Sequence, residues 1–468
     1  MTAMVDEARR RVSARRSIVV VLAGAAALFA VGSFAHRYGF SALALDRAAV
    51  QSWLAGDGLY AYRDPLSHLG AALPPAAAFL LAPAVVVPVG LAGWVTALAG
   101  LTALVLAMTA LAGPVVRRYG RGRVPAVLAA VLLALAAEPV RATLGLGTLD
   151  LLLFGLITAD IVALRRGAWA RSRAAWWPGR PASALPRGAS RTGSPGRKEV
   201  PHLLRKGWAT GAWAGVGIGL ATALAVGPAL FIAYLALTRQ WRPTVTALGT
   251  ALACAAGALM VAPHEVAAWF GEVLWRLDRT GGVDRVDNQS LAGVLARLYD
   301  SATTPVLLWL SFALLLIAVG FIRARSAHAD GDEITAFTIV GLTGAIVGPV
   351  TDTHELIWTL PATLILLDAA ARARMAARRP LPGRAHRQPG GGYAAAAVLT
   401  YLLFVIAPVW TLPNLGGVAT NSYALALILL VNTLPWRPGA APAFPVNRWV
   451  RRRSGASPIP PARRPTGS

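Results

Sequence analysis

GFSALALDRAAVQSWLAGDGLYAYRDPLSHLGAALPPAAAFLLAPAVVVP, residues 39–88, follows the first long apolar run of the chain. Its reading decides the fold, because the charges on either side of it settle how the chain weaves through a membrane. The apolar run over 17–36 is preceded by Arg9, Arg10, Arg11, Arg15 and Arg16. Basic flanks mark the cytoplasmic side, so a helix over 17–36 delivers residue 39 to the outside. The next basic cluster is RRYGRGR at 117–123, and two apolar segments, 74–88 and 91–112, precede it. Two crossings would leave that cluster outside, so one of the segments does not cross. Segment 74–88 is the shorter and opens on Pro74-Pro75, a helix-start signal, so it is expected to lie along the interface.

Composition agrees with this reading. Of 468 residues, 56% are hydrophobic and 14% charged, with mean hydropathy +0.55, outside the range of water-soluble domains. Apolar runs of roughly 17–25 residues, the length that spans the hydrocarbon core, recur along the chain. They lack the two-residue alternation of barrel strands, which leaves helices as the way to satisfy the backbone in lipid. The expected fold class is all-α, a polytopic integral membrane protein of about 12 transmembrane helices with interfacial helices in the first extracytoplasmic loop. The formal charge of +24 sits in short loops and tails, where Lys and Arg set topology and meet anionic lipid head groups. Membrane lipids are therefore expected partners and nucleic acid is not. A single cysteine, Cys254, excludes an intramolecular disulfide and a thiolate metal site. No small-residue cleavage site follows the first apolar run, so it reads as a retained helix.

Taken in order, the chain divides into a basic N-terminus (1–16), helices 1–4 over 17–164 with an outer loop at 37–90, and a basic Pro/Gly/Ser-rich linker (165–206). Helices 5–10 occupy 207–371 with an outer loop at 263–303. A basic loop (372–392), helices 11–12 (393–436) and a Pro/Arg-rich tail (437–468), expected to be disordered, complete it. Both termini then face the cytoplasm of a plasma-membrane protein. Helix 3 reaches a short outer turn at 138–147, helix 5 spans 208–226 and bends into helix 6 at Gly227-Pro228, and Trp269 and Trp275 belong to an amphipathic stretch suited to head groups.

The polar clusters that topology leaves unexplained fall on the outer side. Asp46 lies in a stretch where Leu43, Val50 and Leu54 share a helical face; it can serve as a general base toward a sugar hydroxyl or simply wet that helix with Arg47. Asp57 between two glycines and Asp64 before Pro65 read as turn residues, and Arg63 beside Asp64 can hold a phosphate. His354, with Asp352 and Glu355, ends a membrane helix and can orient an acceptor or contact a phosphate. Glu138 and Arg141 form either a structural ion pair or a substrate contact. Asn288 and Gln289 either hydrogen-bond a glycan or cap the next helix. One histidine with carboxylates and no second histidine at ligand spacing gives no metal set, and no phosphate loop or dinucleotide fingerprint occurs. A transporter needs ionisable groups near mid-membrane, and Asp160 and Asp368 sit near inner helix ends.

GDGLYAYRDP (56–65), LPPAAAFLLAP (73–83), AEPVRATLGLGTLDLLL (137–153), GVGIGLATALAVGPALFIAYLALTRQWRP (215–243), DNQSLAGVLARL (287–298) and GPVTDTHELIWTLP (348–361) occur in this order. Together they resemble the actinobacterial polyprenyl-phosphate-mannose-dependent mannosyltransferases of glycosyltransferase family 87, which have the GT-C architecture. The resemblance implies transfer of a hexose, usually mannose, from a polyprenyl-phosphate-linked donor to a lipid-anchored glycan or glycolipid, with no nucleotide or cofactor and usually no metal. It implies an Asp base in the first outer loop, and the motif alignment puts Ala42 there, with Asp46 one helical turn later. Leu73 stands where the family has Tyr, Thr148 and Asp150 where it has Gln and Asn, and Ala225 where it has Lys. A histidine pair is reduced to His354-Glu355. Two readings stay open: an enzyme using Asp46 and His354, with Arg63, Asp64, Glu138, Arg141, Asn288, Gln289 and Glu355 around the substrates, or a relative that binds lipid or glycan without transfer.

Overall fold

The computed structural model describes residues 2–65, 67–119, 122–176, 211–276, 282–300, 305–377, 390–412 and 416–438. Most of the expected linker, the basic loop at 378–389 and the tail from 439 lie outside them. Every regular element among the described residues is a helix. Five are long and apolar enough to cross a membrane: Ser17–Tyr38 within α1 (Thr2–Tyr38), Val89–Val116 within α4 (Val89–Arg118), Trp241–Val261 (α10), Val306–Ala329 (α13) and Thr353–Ala377. The last begins as a 3-10 turn, Thr353–Trp358, and continues as α15 (Thr359–Ala377). The protein is a multi-pass membrane protein. Each of the twelve segments marked in the sequence carries a helix, but length and composition qualify five as spans, or six with the bent pair α5 (Arg123–Ala136) and α6 (Glu138–Leu146).

That bent pair corrects the sequence reading of 138–147 as a turn. Ala137 leaves the helical region, Pro139 occupies the first turn of a new helix, and Gly147 closes it at φ 78°. Proline at the start and glycine just past the end are helix punctuation, and α6 sits at 74° to α5. Residues 211–215 are turns and α8 (Val216–Leu224) starts later than expected, before the break that precedes α9 (Ala229–Leu237). Asp160, fully buried in α7 (Asp150–Trp176), explains that start: its Oδ2 accepts the Ile218 N–H at 2.7 Å, capping α8 from a neighbouring helix.

The first loop is built from α2 (Ser41–Ala55) and α3 (Pro75–Leu81), followed by a 3-10 turn, Ala82–Val85. The two short pieces rise about 18 Å together, well under the ~30 Å hydrocarbon core, so 74–88 cannot cross as a helix. Arg47 fixes α2 to this turn, donating to the carbonyls of Ala84 (3.0 Å), Val85 (2.9 Å) and Val87 (3.1 Å). It therefore binds backbone rather than wetting the helix. Leu43 and Val50 are buried as expected, but Leu54 is 58% exposed and leaves their face.

The remaining elements are α11 (Pro263–Gly271), α12 (Leu291–Leu298), α14 (Glu333–Val347), α16 (Gly391–Ile406), the one-turn helices α17 (Pro408–Thr411) and α18 (Gly417–Thr420), and α19 (Ser422–Thr433). Trp269 on α11 is buried and stacks on Tyr60 at 5.9 Å, so it seals the first loop instead of facing head groups; Trp275 is exposed. Glu265 holds the same loop by accepting the Leu59 N–H at 3.2 Å. Phe154, Phe231 and Phe337 gather around Trp358, with ring centroids at 5.1 Å (Phe154–Trp358), 5.2 Å (Phe231–Trp358) and 5.5 Å (Phe231–Phe337). Edge-on and offset ring contacts of this kind fix position as well as bury area, and they anchor the far end of the 353–358 turn.

Candidate active site

Asp46 lies on the stripe 43, 46, 50 of α2, the face that is buried. A carboxylate on that stripe points inward, and what it meets is decided by Gly147. A Cβ at Gly147 would come within 2.9 Å of the Leu43 Cβ, so α2 seats directly on the junction between α6 and α7. The first residue of α7 is Asp150, whose Oδ2 accepts from the Thr148 hydroxyl at 2.6 Å. His354 Nε2 lies 3.6 Å from the same oxygen, and the Thr143 hydroxyl donates to the His354 carbonyl at 3.2 Å. Asp352 caps the 353–358 turn in a capping box: its side chain accepts from the Glu355 N–H, and Glu355 Oε2 accepts the Asp352 N–H at 3.2 Å.

The fold thus brings together Asp46, Asp150, Asp352, His354 and Glu355 from three separate parts of the chain. Asp46 and His354 keep partial exposure and Glu355 is exposed. Burial among the helices nonetheless pushes Asp46 up to about 7, opposed by the charge of His354. Burial also raises Asp352, opposed by His354 and reinforced by Asp287. Partly exposed carboxylates packed this closely among helices lose enough hydration for the charged form to be disfavoured. A base with a value near neutrality is suited to take a proton from a hydroxyl at physiological pH.

The other residues singled out in the sequence are placed differently. Asp64 accepts from the Ser67 N–H (2.7 Å) and hydroxyl (2.6 Å), and exposed Arg63 reaches the His68 carbonyl at 3.4 Å, so both shape a turn. Glu138 is buried and accepts from Trp410 Nε1 and the Tyr423 hydroxyl, bolting α6 to α17 and α19. Arg141 donates to the Val405 carbonyl at 3.1 Å and acts on Glu138 through its charge. Asn288 donates to the carbonyls of Val283 and Pro349 and accepts the N–H groups of Ser290 and Thr351. Gln289 donates to Val286 and Thr420 carbonyls and accepts the Ala424 N–H. Both amides are buried and knit the loop before α12 to the 349–351 segment and α19. Asp368 pairs with Arg372 at 3.1 Å and accepts from the Tyr119 hydroxyl at 2.8 Å, and Asp160 caps α8, which accounts for both inner carboxylates structurally.

In the sequence Asp150 counts only as a departure from the family's Asn; its place on that motif is the signal that it belongs to the site. A cavity of about 300 Å³ between α3 and α10, lined by Ala76, Phe79, Cys254, Gly257, Ala258 and Val261, holds no carboxylate, imidazole or basic side chain and is separate from the chemistry.

These features define a multi-pass helical membrane protein with a cluster of carboxylates around one imidazole where the first loop meets α7 and the 353–358 turn. The model of glycosyltransferase family 87 matches residues 73–189 and 199–349, more than half of the chain. The protein belongs to that family. It is 31% identical over 152 residues to a polyprenol-phosphate-mannose-dependent alpha-(1-2)-phosphatidylinositol mannoside mannosyltransferase of Mycobacterium tuberculosis, covering 32% of this chain and 36% of that one. A protein of the same description from Mycolicibacterium smegmatis is 26% identical over 257 residues, 53% of this chain and 48% of its own. The chain thus spans about half or less of the length of these relatives. ArnT from Cupriavidus metallidurans, solved bound to undecaprenyl phosphate, aligns over 88% of this chain and 76% of that one at 16% identity with a TM-score of 0.33.

Proposed function

We propose that this protein is a membrane hexosyltransferase that moves a sugar, mannose in the first instance, from a polyprenyl-phosphate donor to a lipid-linked glycan or glycolipid. The basic connections face the cytoplasm of the plasma membrane with both termini, and the carboxylate and imidazole cluster faces the opposite side. The reading is supported above all by the approach of His354 to Asp46, both partly exposed, with burial pushing Asp46 up to about 7 against the charge of His354. In the reaction, an Asp46 oxygen takes the proton of the acceptor hydroxyl as the acceptor's own oxygen bonds to the anomeric carbon. The bond from the anomeric carbon to the phosphate oxygen breaks, and its electron pair leaves with the polyprenyl phosphate. His354, held by its own carbonyl and by Asp150, orients the acceptor or the leaving phosphate. The family membership and the activities for which the mycobacterial relatives are named support this reading.

The test is transfer by membranes carrying the wild type or Asp46→Asn, supplied with polyprenyl-phosphate mannose. Loss of a positioned base is expected to lower the rate by about 10²–10⁴-fold. Wild-type activity in the variant would remove Asp46 from the mechanism, and a wild type with no donor-dependent turnover would favour a binding role.

A further inference from the structure

A donor whose leaving group is a phosphate brings an anion to a cluster already rich in carboxylates, and a fixed cation is the group suited to receive it. The arginines that the sequence offered for this are committed to backbone: Arg63 to the His68 carbonyl and Arg141 to the Val405 carbonyl. Arg47 donates to three carbonyls of the first loop, and Arg297 to the carbonyls of Arg285 and Asn288 and to Asn421 Oδ1. Arg285 differs from them. Its guanidinium is paired with a carboxylate, Asp287, and the two side chains are 39% and 22% exposed, so a ligand can reach the pair. A phosphate can replace a carboxylate on a guanidinium because both offer two oxygens to its fork. Displacing a buried backbone carbonyl would instead leave that carbonyl unsatisfied.

The backbone that carries Arg285 is stitched to the site. Its carbonyl accepts the Asn288 N–H at 3.1 Å, and the next residue, Gln289, donates its N–H to the Thr351 carbonyl at 2.8 Å. Asn288 Oδ1 accepts the Thr351 N–H at 3.0 Å. Thr351 directly precedes Asp352, the cap of the turn that carries His354. Arg297 clamps the Arg285 carbonyl from α12 at 2.5 Å and is itself held by Asn421, just before α19, at 2.7 Å. The loop therefore has a fixed backbone beside the cluster and an ion pair that can exchange partners. The charges agree with this placement: Arg285 acts on Asp352, and Asp287 acts on both Asp352 and His354.

We propose that Arg285 is the residue that binds the donor phosphate, exchanging Asp287 for two phosphate oxygens when the polyprenyl-phosphate donor enters. It stays on the phosphate as the bond to the anomeric carbon breaks, so the electron pair that leaves with the phosphate oxygen meets a positioned cation. Asp287 holds the guanidinium in place between turnovers. The inference deepens the hexosyl-transfer reading and rests on it for the identity of the donor.

The experiment is equilibrium binding of a short polyprenyl phosphate to the purified full chain in detergent, compared with the matching polyprenol, with no acceptor present. Wild type should bind the phosphate form more tightly than the alcohol. Arg285→Gln should weaken the phosphate form by about 10–100-fold and leave the alcohol unchanged, and Arg285→Lys, which keeps the charge without the fork, should fall between. Asp287→Asn removes the competing anion and should tighten the phosphate form severalfold. A pair that only braced the loop would make both substitutions weaken binding together, and that result overturns the proposal. So does a wild type that binds the two lipids equally, or an Arg285→Gln variant that binds the phosphate form as wild type does. Arg276→Gln, whose exposed side chain pairs with Glu272 at 3.1 Å, should leave binding unchanged; a loss there equal to that of Arg285→Gln marks a general charge effect and also overturns the assignment. The backbone contacts of Arg285 use its carbonyl and survive substitution, which equal thermal midpoints check. Asp46→Asn should retain polyprenyl-phosphate binding while losing transfer. Binding that depends on Arg285 in a wild type without transfer would sink the transfer reading and leave the phosphate site standing, whereas unchanged transfer and donor KM in Arg285→Gln would sink Arg285 alone.

Discussion

Replacing Gly147 by Ala tests how the site is assembled without touching any residue assigned to chemistry. The added Cβ would lie 2.9 Å from the Leu43 Cβ, about 0.8 Å inside ordinary carbon contact. Leu43 meets it with an atom next to its backbone, so α2 itself must move. Gly147 also sits at φ 78°, a left-handed conformation that costs an L-residue about 1–2 kcal/mol, and overpacking adds about 1–3 kcal/mol. A shift of nearly 1 Å at Leu43 carries Asp46, one helical turn away, relative to His354 on another element. Misplacement on that scale costs about 100-fold in rate. The control is Gly56→Ala at the other end of α2, where φ is 104° but no atom lies within 4 Å of the new Cβ. It suffers the backbone strain without the displacement. The assay is transfer from polyprenyl-phosphate mannose in membranes, with apparent thermal midpoints of the purified proteins. Gly147→Ala should lose most activity and more stability than Gly56→Ala. If the two behave alike, Gly147 does not set the position of α2.

Transfer should fall about tenfold per pH unit below about 7, because Asp46 acts only when ionised and burial holds its proton up to about 7. The same shift predicts a stability effect of defined sign: the fold favours protonated Asp46, so its contribution weakens as pH rises from the ordinary carboxylate range through about 7. Asp46→Asn should accordingly lose activity without lowering the thermal midpoint at pH 8. Asp160→Ala removes the acceptor of the Ile218 N–H from a fully buried site and should destabilise by about 2–4 kcal/mol, read as a lower thermal midpoint. Arg47→Met keeps the stem and removes the donors to the carbonyls of Ala84, Val85 and Val87. It should reduce transfer severalfold with helical circular dichroism unchanged.

Local signals in the chain carried much of this. Pro74-Pro75 and the shortness of 74–88 foretold a helix that does not cross, and Gly227-Pro228 foretold a broken one. The period of α2 set Leu43 and Val50 inward, and Asp46 shares their stripe. The misses have local causes as well. The 138–147 stretch has the length of a turn but the punctuation of a helix, Pro139 at the start and Gly147 at the end. Trp269 was assigned to head groups by residue type, but its ring is covered by Tyr60 from far along the chain. Asn288 and Gln289 looked available to a glycan because nothing in a linear sequence shows the carbonyls that occupy them.

Hydropathy, proline, glycine and basic flanks act over a few residues, and so the sequence by itself determined that this is an all-helical, multi-pass membrane protein with non-spanning helices in its first loop. It also named Asp46 and His354 as candidates. Only the tertiary structure decided that they cluster with Asp150 and Glu355, and that Glu138, Arg47 and Asn288 are structural. Those outcomes depend on close approaches between distant segments, above all the seat of Leu43 on Gly147, and a carboxylate acquires its proton affinity and its partners from that packing rather than from its neighbours in sequence.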